Sequence, residues 1–104
     1  MKPIEKKLDG LWFRAVAKRA NGNCEICCTP TEHPAHHIFG RGKSVRWELD
    51  NGILLCFNCH TKAHKNDKAF RHDFGTYRIE KLFRSTVKNL DIEAIKAKLE
   101  EMIG

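Results

Sequence analysis

A chain of 104 residues, 41% of them apolar, is long enough for one domain with a modest core and too apolar for a disordered polymer. No apolar run approaches the roughly 20 residues that cross a bilayer, and Met1–Lys7 has no apolar stretch of the kind a secretory signal carries. Together with an odd count of five cysteines, this predicts a reducing compartment and metal ligation rather than disulfides. The net charge of +6 is uneven. Residues 41–88 carry eleven Lys/Arg against five Asp/Glu, whereas residues 1–40 are at +2 and residues 89–104 at −2. A basic middle suits a polyanionic partner such as nucleic acid, although a solvated basic surface would look the same.

Leu8, Leu11, Trp12, Ala15 and Val16 recur at helical spacing and predict a helix over 8–20, which Asn21-Gly22-Asn23 stops. A Cys24–Cys27 turn and a polar loop follow. Residues 35–39 read as a short strand, and 40–43 as a flexible basic turn. Asn51-Gly52 reads as a turn into a second strand at Ile53–Leu55. A helix is expected from Phe57 to Asn66 with Asn58 as its cap, continuing over Lys68–Phe74 with Phe70 and Phe74 on one face. Gly75 interrupts that pattern. Tyr77, Ile79, Leu82, Phe83 and Val87 predict another helix. Asp91 would cap a last one, striped by Ile92, Ile95, Leu99 and Met102. The outer helices, about 68–103, read as packing surfaces, with a dimer face as the rival reading. The expected fold is α+β in one domain spanning 1–104, with its motif core at 24–66.

Cys24-x2-Cys27 and Cys56-x2-Cys59 are two knuckles separated by 28 residues. Each offers two thiolates, so together they complete a tetrahedral zinc shell that leaves no open position, which makes the site structural. Cys28 is left over as a free thiol or an exchange partner for Cys27. His60 and His64, at i and i+4, project from one helix face. His36 and His37 are strand neighbours, so they point to opposite sides. One of them can therefore join a metal with His60 and His64 while the other faces substrate or water. His33 and His72 read as ordinary surface histidines.

His37, Asn51 after thirteen intervening residues and His60 after a further eight, framed by the two knuckles, give the chain its family likeness. With Ala35-His36-His37-Ile38 and the run Asn51–His60, it resembles the HNH endonucleases of the four-cysteine type. The matching motifs cover residues 24–64. Leu8-Asp9-Gly10-Leu11-Trp12 and the Phe70–Phe74 region are also similar to phage recombination nucleases of the Rap/NinG kind. The resemblance implies a ββα-metal core flanked by helices and a metal-dependent DNA endonuclease with weak sequence preference. Its products would carry 5′ phosphate and 3′ hydroxyl, its substrates would include branched recombination intermediates, and its setting would be the cytoplasm of a bacterial or phage-infected cell. It implies His37 as general base and Asn51 as the residue that holds the long loop and orients His37 through its amide. His36, His60 and His64 would hold one divalent ion (Mg²⁺, Mn²⁺, Ni²⁺ or Zn²⁺) that contacts a phosphate oxygen and the leaving 3′ oxygen.

Arg41, Lys43 and Arg46 in the inter-strand loop are candidates to clamp phosphates or stabilise transition-state charge, and Lys62 and Lys65 to track the DNA backbone. Trp47 reads as a hydrophobic plug at the loop base in preference to a base-stacking ring. Two other functions fit parts of the sequence: a non-catalytic, zinc-stabilised module that binds nucleic acid, and an interaction protein using its last helix. An intact His37, Asn51 and His60 favours the enzyme, since binding alone requires none of them.

Overall fold

The computed structural model describes residues 2–42, 45–73 and 92–104. Over these residues the protein is a small α+β structure of four helices and a two-stranded sheet. The first helix, α1 (Pro3–Arg19), begins five residues before the apolar pattern does. Pro3 sits in its first turn, where a fixed φ favours the helix and a missing N–H costs nothing, and Glu5 faces the N-terminal dipole. The helix stops on two left-handed residues, Asn21 and Gly22, and the Gly22 N–H reaches back to the Ala17 carbonyl.

The sheet is shorter than the sequence suggests. β1 (His36–His37) pairs antiparallel with β2 (Gly52–Ile53), His36 opposite Ile53 and His37 opposite Gly52. Leu49–Asn51 form a single 3₁₀ turn, so Gly52 is extended rather than part of a turn. Its lack of a side chain has a steric cause: a Cβ there would lie 2.6 Å from Val16 Cγ2 and 2.7 Å from the Trp12 ring. α1 thus lies directly on the strand that begins the metal motif.

α2 (Phe57–Lys65) is capped by Cys56, whose sulfur accepts the Cys59 N–H, and not by Asn58. At Asn66 the helix breaks. The Asn66 side chain then accepts the Ala69 N–H and starts α3, helical over 67–73, which buries Phe70. The last helix, α4 (Ile92–Ile103), packs on α1 through Ile92, Ile95, Leu99 and Ile103. Ile103 takes the place expected of Met102, which is exposed, because four residues after Leu99 returns the chain to the buried face. This apolar face is spent on α1 within the chain. Phe74, Gly75, the expected helix from Tyr77 to Val87 and the Asp91 cap lie outside the described residues.

Two apolar clusters result. Leu8, Trp12, Ala15, Val16, Trp47, Leu54 and Leu99 join α1, the inter-strand loop and α4, while Cys24, Ile38, Ile53, Leu55, Ala63 and Phe70 lie between the sheet and α2–α3. Arg19 ties them together, donating to the carbonyls of Leu49 and Gly52 at 2.8 and 2.7 Å and pairing with Glu25 of the first knuckle.

Candidate metal centres

Cys24, Cys27, Cys56 and Cys59 form one group, with all four sulfurs within 4.8 Å of one another. Cys27 and Cys56 are 3.6 Å apart, close to the ~3.8 Å between sulfurs of a tetrahedral zinc shell. The first knuckle is closed by Cys24 N–H on Thr29 O and Cys28 N–H on Cys24 O, with Cys28 in a left-handed conformation. Cys28 is exposed and stands outside the sulfur group. The second knuckle is the N-terminal turn of α2, whose dipole favours anionic sulfur.

The thiols differ in acidity. Cys27 is pulled down to about 6 by the Thr29 hydroxyl and backbone N–H, assisted by Cys24 and Cys56. Burial pushes Cys24 up, but the backbone donors of Cys27, Cys56 and Ile26 outweigh it. Cys59 is pushed up to about 12 by burial and by the neighbouring thiols. Four crowded sulfurs resist full ionisation unless a cation sits among them, which is the donor chemistry of a closed zinc site. The cluster is compatible with zinc.

His36, His60 and His64 form a second group. His60 Nε2 lies 3.1 Å from His36 Nδ1 and 2.9 Å from His64 Nε2. Nitrogens bound to one ion at ~2.0–2.1 Å stand about 2.9–3.4 Å apart, so these donors fit a shared cation. Burial, then the neighbouring His60 and His64, pushes His36 down to about 4, and burial likewise lowers His60. Neutral imidazole is the form that binds metal.

His37 is on the same short strand but held differently. Its ring stacks on Trp12 at 3.9 Å, and its Nε2 lies 3.1 Å from the Arg46 carbonyl. A carbonyl only accepts, so Nε2 carries the hydrogen and Nδ1 keeps its lone pair. Burial, then the Arg41 charge, lowers the His37 pKa. Asn51 is fully buried. Its Oδ1 accepts the Phe39 N–H, and its Nδ2 donates to the carbonyls of Gly40 and Val45. The amide therefore closes the loop, as expected, but it bonds with loop backbone and not with His37. It reaches His37 only indirectly, since Val45 precedes the residue whose carbonyl holds the ring.

His36, His37, His60 and His64 line an open groove of about 570 Å³ with Arg41, Asp67 and Arg71. Arg41 projects an exposed guanidinium, paired on one side with Asp9. Arg71, paired with Asp67, is a cation in the groove that the sequence reading did not single out. Arg46 needs a correction. Its guanidinium is mostly buried and clamped to Asp9 at 2.6 Å and Glu5 at 3.1 Å, so it fastens the loop to α1 instead of meeting phosphate. Trp47 is buried beside it and donates its indole N–H to Asp9. Lys62 also falls elsewhere, lining a separate hollow with Ile26, Cys27 and Cys59 on the cysteine side of α2. Lys65 is exposed and does not line the histidine groove, and Lys43 lies outside the described residues. His72 is exposed beside Asp73, whereas His33 contacts His60.

No helix among the described residues is long and apolar enough to cross a membrane. Searches against protein-family models, curated proteins and solved structures find no match to this chain.

Proposed function

We propose that this chain is a metal-dependent DNA endonuclease of the HNH type, with zinc in the cysteine cage and a divalent ion among the histidines. One observation carries the reading. Three imidazole nitrogens converge at ion-ligand spacing, while the adjacent His37 is turned away, fixed in one tautomer and lined up along the same groove. A purely structural site has no need for that fourth imidazole.

In this mechanism His37 Nδ1 takes the proton of the attacking water, the Trp12 stack and the Arg46 carbonyl having set the ring's plane and tautomer beforehand. Asn51 holds the loop that supplies that carbonyl. Arg41 on the groove rim draws the scissile phosphate in and offsets its charge, and Arg71 does the same for a neighbouring phosphate. The ion, when bound, supplies Lewis-acid stabilisation of the phosphate and leaving oxygen. With water attacking from the His37 side and the 3′ oxygen leaving opposite it, as the HNH resemblance implies, cleavage yields 5′ phosphate and 3′ hydroxyl. Three imidazole donors favour Zn²⁺ or Ni²⁺ over Mg²⁺ and Mn²⁺, whose preferred ligands are oxygens. No described element is shaped to read base edges, so duplex, single-stranded and branched DNA, including recombination intermediates, are all substrates to compare.

The test is nicking of supercoiled plasmid and cleavage of duplex, single-stranded, flap and four-way-junction DNA with each of the four ions. Activity is expected from wild type, with a loss of at least about a hundredfold in His37→Ala. If both proteins bind DNA and neither cuts with any ion, the chain is a zinc-stabilised nucleic-acid-binding module instead.

A further inference from the structure

His33 stands on the far side of His60 from the converging nitrogens. Its Nε2 is 2.5 Å from His60 Nδ1, with the rings edge to face at 4.7 Å. It is therefore placed against the one nitrogen of His60 that is not turned toward His36 and His64. That location excludes His33 as a further ligand of the same ion. It also gives His33 a distinct chemical task.

If His60 offers Nε2 to an ion, Nδ1 must carry the ring's hydrogen, and His33 Nε2 is the atom present to accept it. That fixes the other end of the contact too: His33 must hold its own hydrogen on Nδ1. A ligand histidine whose second nitrogen is held by an acceptor is both oriented and made more basic. Neither His36 nor His64 has such a support among the described hydrogen bonds; His36 Nε2 is buried without a partner. His60, whose Nε2 lies 3.1 Å from His36 Nδ1 and 2.9 Å from His64 Nε2, is the one that has it.

The segment carrying His33 is built to hold still. Pro30 and Pro34 flank it, the Thr31 N–H donates to Gly22 O, and the His33 N–H donates to Thr31 Oγ1. Asn23 and Pro30 form a bridge across the first cysteine knuckle. The sulfur cage thus anchors His33 from one side of the chain while Cys59 anchors His60 from the other. Phe57, at the start of α2, lies edge to face with His33 at 6.0 Å and limits its swing.

We infer that His33 is a positioning residue for the histidine ion site, accepting the Nδ1 hydrogen of His60 and so presenting His60 Nε2 to the ion. The inference rests on the ion-site reading above, and the experiment separates the two. Protein with zinc in its cysteine cage is titrated with Ni²⁺ by calorimetry, as wild type, His33→Phe and His33→Gln. Phenylalanine keeps a ring against Phe57 and His60 but has no acceptor; glutamine restores one. Wild type is expected to take up one Ni²⁺ per chain, His33→Phe to bind it roughly ten- to a hundredfold more weakly, and His33→Gln to recover most of the loss. Nitrogen-15 spectra of the fully zinc-loaded wild type should show His60 and His33 both protonated at Nδ1. Equal Ni²⁺ affinity in wild type and His33→Phe, or His60 protonated at Nε2, overturns the role of His33 and leaves the ion site standing. Failure of wild type to bind any Ni²⁺ beyond the cage removes the site and this inference together. An unchanged melting temperature and cysteine-bound zinc content in His33→Phe show that the loss is not a folding defect.

Discussion

The cysteine cage and the histidine groove share one helix, yet they are opposite kinds of place. At the cage, α2 contributes its N-terminal turn, where the Cys59 N–H meets the Cys56 sulfur and the helix dipole favours thiolate. At the groove, the same helix contributes its flank, where residues one turn apart aim two imidazoles at a third on the strand. The cage gathers four ligands and closes. The groove gathers three, stays open, and adds cations and the separately held His37 along its walls. A helix end suits an anionic staple because its N–H groups are unpaired; a helix side suits a neutral, open site because it offers spacing without charge.

The sharpest way to break this comparison is to remove the staple. The cluster of Cys24, Ile38, Ile53, Leu55, Ala63 and Phe70 is thin, and the cage closes it from one side. Stripping zinc with a strong chelator, or Cys56→Ala, which removes both a ligand and the α2 cap, should abolish cooperative folding of this half. Zinc binding contributes on the order of 10 kcal/mol in small zinc domains. His60→Ala, by contrast, should abolish ion uptake at the proposed histidine site and leave the fold intact. Thermal melts and far-ultraviolet circular dichroism of the two variants test this. Equal losses of structure would mean that the groove, too, is a staple.

What could be read in the sequence divides along physical lines. The two ligand groups were legible because much of their geometry is local: a two-residue gap sets a knuckle, and a three-residue gap sets a helix face. α1 was legible from Leu8 onward, where the apolar period begins, but its true start depends on Pro3, which has no period to announce it. Asn58 looked like a cap by residue type, yet a sulfur two positions earlier took the N–H. Long-range partners were hidden. Arg46 reads as a loop cation until α1 brings Asp9 and Glu5, 37 and 41 residues away, onto it. His33 lies 27 residues from His60, and no repeat or spacing connects them. Gly52 reads as a turn residue, and only the packed α1 shows why a side chain is forbidden there.

A second prediction concerns what holds the groove's loop in place. Asp9 receives Arg41, Arg46 and Trp47, so one α1 carboxylate fastens the segment that carries both the His37-holding carbonyl and the rim arginine. Asp9→Asn should cost roughly 2 kcal/mol in urea unfolding of the zinc-loaded protein, because Arg46 loses the carboxylate that holds it through two nitrogens. Activity should fall further than stability, since the loop holds His37. The pH dependence has a definite sign. Burial raises the Asp9 carboxyl, but the bonds from Arg46, Trp47 and Arg41 outweigh it and leave the pKa below its usual 3.8. Folding therefore favours the ionised form. Its contribution is complete above the unfolded value and disappears as pH falls through the depressed one. Asp9→Asn should lack that part of the acid sensitivity, and a variant as acid-sensitive as wild type would show that the clamp contributes nothing.

The smallest expected effect tests whether the groove's charges act on the base as well as on substrate. His37 is lowered first by burial and second by the Arg41 charge. In the proposed nuclease His37 works as a general base in its unprotonated form, so single-turnover cleavage should rise with pH and level off below the ordinary imidazole value near 6.5. Removing a neighbouring cation favours the protonated ring, so Arg41→Gln should move that acid limb toward higher pH. Each profile is compared with its own plateau, because the arginine also meets phosphate and the plateau itself will drop. Raising the salt concentration should bring the wild-type limb toward that of the variant, since Arg41 is exposed and its influence is screened. If the two limbs coincide at low salt, the rim arginine serves only the substrate, and burial alone keeps His37 neutral.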